Sequence, residues 1–152
     1  MNNLKSNNKI KIGRTHQIFI YFIFLVLFFS GLAWAIVHYF LFQESNFMIL
    51  PHPLEPLWLK IHGAAAMASL ILIGSLIPKH INIAWKAKKN RLWGATFIII
   101  LGFLILSGYL LYYSGIECLR KWTSDFHLWV GIAFPIIMVI HIWRGKKSMK
   151  KI

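Results

Sequence analysis

Six of the seven histidines in this chain stand at or near the ends of long apolar runs: His16 and His38 at the first, His62 and His80 at the second, His127 and His141 at the fourth. A neutral imidazole offers one nitrogen lone pair and one N–H, so it can ligate a metal while its other nitrogen is held by a neighbour. An ionisable group inside hydrocarbon is expensive and by default functional. That argument weighs most for His62, His127 and His141. His16 and His80, beside Arg14 and Lys79, suit a headgroup zone as well as a ligand role. His38 precedes the aromatic pair Tyr39-Phe40 and is the weaker ligand candidate, while His52, between Pro51 and Pro53, reads as solvated.

Helical phase groups these residues further. At about 100° per residue, the 18-residue step from His62 to His80 returns to 0°, the 14-residue step from His127 to His141 to about −40°, and the 22-residue step from His16 to His38 to about +40°. Each pair therefore falls on one face of its own helix, separated by roughly 27, 21 and 33 Å at a rise of about 1.5 Å per residue. Imidazoles in two layers across a membrane could supply axial ligands to two haems in series. Gly131, one turn from His127, and Gly63 to Ala66, directly after His62, leave room for a flat macrocycle. A catalytic zinc site needs three ligands in one small cluster and fits paired layers poorly.

The elements that must position these rings are read from hydropathy. Apolar runs extend over Ile18–Phe42, Leu57–Pro78, Leu92–Tyr113 and Phe126–Trp143, each near the roughly 20 residues a membrane-crossing helix requires. The expected fold is all-α, an integral membrane four-helix bundle of one domain over 1–152, with helices over about 17–42, 57–80, 92–113 and 123–143. Ala33-Trp34-Ala35 has the form of a signal-cleavage site. The first run is too long for a signal core of about 7 to 15 residues, however, and continues beyond that motif. All basic residues except Lys60, Arg120 and Lys121 lie in the first 17 residues, in Lys79–Arg91 or after Trp143, whereas all four acids lie in the other connections. The positive-inside rule then places both termini in the cytoplasm.

Composition agrees. Of 152 residues, 58% are hydrophobic and 14% charged, and the mean hydropathy is +0.62, against about 45–50% apolar and about 25% charged in a soluble domain. The net charge of +13 follows from juxtamembrane basic residues drawn to anionic headgroups and requires no nucleic acid partner. One cysteine, Cys118, excludes an internal disulfide framework and a cysteine-built metal site. Arg14, Arg91 and Arg120 are candidate partners for haem propionates. Asp125, two residues before His127, could orient an imidazole, accept a proton from a quinol or cap a helix. No nucleophile triad, phosphate loop or dinucleotide fingerprint is present.

Several strings together carry a resemblance: Lys60-Ile61-His62-Gly63-Ala64-Ala65-Ala66-Met67, Gly74 to His80, Asn90-Arg91, Ser107 to Tyr113, and His127 through Gly131 to His141. In this order and spacing, over residues 14 to 145, the chain resembles the small bacterial four-helix di-haem b-type cytochromes of the inner membrane. The resemblance implies a multi-pass protein of the bacterial inner membrane with two b haems. It implies electron transfer between the quinone pool and an extracytoplasmic partner, a cytochrome c or flavoprotein. It also implies His62 paired with His127 at the outer level, and His141 paired with His80 or His16 at the inner one. Two rival readings remain open on sequence: a histidine-lined transporter or metal-handling protein, and a haem-free structural subunit.

Overall fold

The computed structural model describes residues 12–41, 43–45, 48–88 and 90–150. Four long helices dominate it: α1 (Arg14–Phe40), α2 (Glu55–Leu76), α4 (Arg91–Tyr113) and α5 (Glu117–Lys150), with the short α3 (Asn82–Lys86) between the second and the third. All four are long and apolar enough to cross a membrane, as the hydropathy pattern predicts.

The helices outrun the apolar segments that announce them. α5 has 34 residues, about 50 Å at 1.5 Å per residue, where the hydrocarbon layer is only about 30 Å thick. A helix bonds its own backbone in either medium, so it does not stop where lipid gives way to water. Hydropathy marks 123–143, whereas the helix takes in the charged turns on either side. For this reason Asp125 lies well inside α5 and does not cap it. α1 likewise begins at Arg14 and ends at Phe40.

The second helix departs from regular winding. α2 passes at Leu76 into a π-turn, Ile77–Ile81, in which the Asn82 N–H reaches back to the Ile77 carbonyl. Pro78 has no N–H to give the Gly74 carbonyl and its ring crowds that position, so the ordinary ladder fails there. The uniform 100° step assumed between His62 and His80 thus does not hold along this helix. Beyond α3, Lys88 (φ 55°) and Asn90 (φ 52°) take left-handed conformations, and Arg91 clamps the turn with Nε and Nη2 donating to the Trp85 carbonyl at 3.0 and 2.9 Å. Its guanidinium also lies 5.3 Å from the Trp85 ring centre.

The connection after α1 carries structure of its own: β1 (Gln43–Ser45) pairs antiparallel with β2 (Met48–Leu50), Gln43 opposite Leu50 and Ser45 opposite Met48. The chain divides into two compact units. One is Ile18–Leu72, with most of α1, the β-ladder and the first part of α2; the other joins the described end of Met1–Gln17 to Ile73–Ile152, and holds α4 and α5. Within this second unit α4 and α5 pack closely against each other, joined through only Ser114–Ile116.

Among the described residues few side chains are buried, and several are small: Ser30, Ala35, Ala65, Ser69 and Ser107, with Leu101 and Phe134 among the larger ones. Large apolar residues face outward, among them Leu92 at 83%, Ile71 at 75% and Ile99 at 70% exposure. A water-soluble chain would hide such a surface. In lipid no hydrophobic force drives helices together, and small residues at the contacts let backbones approach. The four spans and their outward apolar faces are those of a multi-pass membrane protein.

Candidate functional site

His62 and His127 are held in the same way by the helix that precedes each in its hairpin. On the first, His62 Nδ1 lies 3.0 Å from the Leu27 carbonyl and 3.1 Å from Ser30 Oγ. A carbonyl can only accept, so Nδ1 carries the hydrogen and the neutral ring keeps its lone pair at Nε2. Ser30, itself buried, donates to that same Leu27 carbonyl at 3.2 Å. Gly31 completes the contact: a Cβ there would stand 3.1 Å from His62 Cε1 and 3.3 Å from Nδ1, so any larger residue would press on the ring.

On the second hairpin, His127 Nδ1 lies 2.7 Å from Ser107 Oγ. The Ser107 hydroxyl has one proton, and the Phe103 carbonyl takes it at 2.7 Å, with the Leu104 carbonyl at 3.2 Å. Its oxygen is therefore left to accept from the ring, which again places the hydrogen on Nδ1 and the lone pair on Nε2. Gly108 lies against the ring as Gly31 does, a Cβ there standing 3.5 Å from His127 Cε1. Ser-Gly on one helix and His on the next is thus a device used twice. Four residues beyond Gly131, Pro135 interrupts the α5 ladder, since it has no N–H for the Gly131 carbonyl.

Of the other predicted site residues, His141 and His80 come together: they lie within electrostatic reach of each other, and the Trp93 backbone stands beside the His141 ring. That ring stacks on Phe97, with centroids 4.6 Å apart and planes at 19°, and Phe97 also meets Phe134 at 5.3 Å. The His141 ring is within hydrogen-bonding reach of the Trp93 backbone, while its buried Nδ1 has no partner of ordinary hydrogen-bond geometry among the described residues. One turn further, the Arg144 guanidinium lies 4.7 Å from the Trp93 ring centre. His16 engages Ser75 Oγ through Nε2 at 3.1 Å. His38 stacks on Trp34 at 4.7 Å and pairs through Nδ1 with Glu55 at 3.1 Å, joining the end of α1 to the start of α2. Among the described residues, no three His, Cys, Asp or Glu side chains converge as a metal cluster.

An open groove of about 560 Å³ runs along the first turns of α5, lined by Glu117, Cys118, Lys121, Trp122 and Asp125. All five belong to one helix, so it is a surface furrow and encloses nothing. Comparison with known families, with curated proteins and with solved structures gave no match.

Sequence reasoning singled out the histidines and overlooked what holds them. Ser30 and Gly31 have no part in that reading, and Ser107 and Gly108 enter it only within the string Ser107 to Tyr113. One signal was available: the dipeptide Ser-Gly occurs inside two of the four apolar runs, Ser30-Gly31 and Ser107-Gly108, and each lies on the helix before a histidine.

Proposed function

We propose that this chain is a b-type cytochrome of the bacterial inner membrane, with cytoplasmic termini, that carries electrons across the bilayer through two haems. On this reading electrons pass between the quinone pool and an extracytoplasmic redox protein. The observation that carries it is the matched setting of His62 and His127. Both rings are anchored through Nδ1 and keep a basic Nε2, the atom that ligates haem iron, and both abut a glycine. Imidazole ligands in metal sites are oriented through the second nitrogen in just this sense.

A bis-histidine haem asks two imidazoles of each centre and no third protein ligand, so the lack of larger His, Cys, Asp or Glu clusters among the described residues suits haem better than zinc. When bound, the haem supplies one-electron chemistry; the chain holds it, shields it and tunes it. His62 and His127 would hold haem iron, as the family resemblance implies. His141 and His80 would hold that of the second centre. His80 is preferred to His16 there because it lies near His141, whereas the Nε2 of His16 is occupied by Ser75. His38, paired with Glu55, is left out of the ligand set.

The test is haem quantitation on the full-length protein purified in detergent from haem-replete cells. Two haems per chain and a dithionite-reduced b-type spectrum are expected. A colourless protein sinks the proposal, and bound zinc or copper without a Soret band points to the metal-handling alternative.

A further inference from the structure

We infer that Ser107 is a positioning residue that fixes the tautomer of His127, that Ser30 reinforces the tautomer the Leu27 carbonyl imposes on His62, and that both so set how strongly each ring would donate to a bound metal. The inference rests on the proposed function and adds a regulation of that same site. Its basis is where the protons go. A serine that merely tied two helices together could give its proton to the ring or take one from it. Here both hydroxyls are already committed as donors to backbone carbonyls of their own helix, Ser107 to Phe103 at 2.7 Å and Ser30 to Leu27 at 3.2 Å. Each serine oxygen can then only accept from the imidazole, and the ring is locked with its hydrogen on Nδ1.

An acceptor on Nδ1–H pushes electron density toward Nε2 and strengthens the ring as a ligand, the lever by which outer groups tune a bound metal. A stronger donor favours the ferric state and lowers the reduction potential. The two devices are unequal. Ser107 Oγ accepts from the His127 ring at 2.7 Å. His62 has the Leu27 carbonyl at 3.0 Å as well as Ser30, and that carbonyl survives loss of the serine. Both serines are nearly sealed from solvent, at 2% and 4% exposure, so water cannot replace the missing oxygen.

The experiment is redox potentiometry with haem quantitation on full-length Ser107→Ala, Ser107→Thr, Ser30→Ala and Ser30→Thr. Expected are two haems per chain throughout, an upward shift of one midpoint potential in Ser107→Ala, a smaller upward shift in Ser30→Ala, and return to the parent value in both threonine variants, which keep the hydroxyl. Unchanged potentials in Ser107→Ala overturn the inference while leaving the haem proposal standing. Should an alanine variant not be recovered from membranes, cysteine at the same position decides: its sulfur is a poor acceptor, so an upward shift supports the assignment and an unchanged potential overturns it. If the parent protein binds no haem, the proposed function fails. In that event ring 15N shifts of the same full-length protein settle the serines, because His127 must hold the Nδ1–H tautomer in the parent and lose it in Ser107→Ala.

Discussion

The two helical hairpins grip a histidine by the same contact and differ in almost everything around it. Helices α4 and α5 are joined by three residues and lie closely packed, with Phe97 stacked on His141 and tilted against Phe134, and Arg144 set over Trp93. Helices α1 and α2 are separated by a long connection with its own β-ladder, and are tied by polar contacts, Ser30 and Leu27 on His62 and His38 on Glu55. The Ser-Gly/His device therefore does not depend on tight helix packing. It recurs because a ring that must present a defined nitrogen needs an acceptor and a bare patch of backbone, whatever else the helices do.

The largest effect should come from the rings themselves. His62→Ala and His127→Ala are each expected to lower haem content from two per chain to one by pyridine haemochrome assay. If the two rings serve one iron, as the family resemblance implies, the double variant loses no more than either single one; a fall to zero assigns them to separate irons, and unequal losses in the single variants break the equivalence of the hairpins. Next come the glycines. An alanine at Gly31 must push on the His62 ring at 3.1 Å, an overpacking that typically costs about 1–3 kcal/mol. At Gly108 the same methyl meets an ordinary 3.5 Å contact, and relief of helical glycine entropy, about 0.5–1 kcal/mol, makes that variant neutral or slightly more stable. Thermal unfolding in one detergent compares them, and a greater loss in Gly108→Ala reverses the expected order.

Phe97→Leu tests the closer hairpin alone. It should cost about 0.5–1.5 kcal/mol for each aromatic partner given up, read as a lower unfolding midpoint, and should disturb the His141 ring resonances while sparing those of His62. The smallest effect is expected from Glu55→Gln. His38 is 43% exposed and Glu55 13%, and such pairs contribute only about 0.2–1 kcal/mol, less in high salt; a loss of haem in this variant would give His38 a role in the site that its pairing does not suggest.

How far the sequence spoke depends on the range of each interaction. The four spans were legible because hydropathy is summed over about twenty residues and averages out detail. The histidines were legible because a charge-capable ring in an apolar run is conspicuous. The serines were not: Ser30 is 32 residues from its ring and Ser107 is 20 from its own, and which helix face meets which is not written in periodicity. The ends of α5 were missed because water does not terminate a helix. The π-turn was missed because the proline that disrupts the ladder leaves open how the backbone will absorb it.

That wide turn at Ile77–Ile81 makes the chain tolerant of changes in length. An α-helix that already stores a surplus residue can surrender it and close to ordinary winding without melting. Loss of a single residue before His80 within this turn would thus preserve the span and leave the helix beyond it near its former bearing, because closing the turn takes up the step of about 100° that the deletion removes. A deletion here is taken up by the turn, and the bearing of the helix beyond need not register the change.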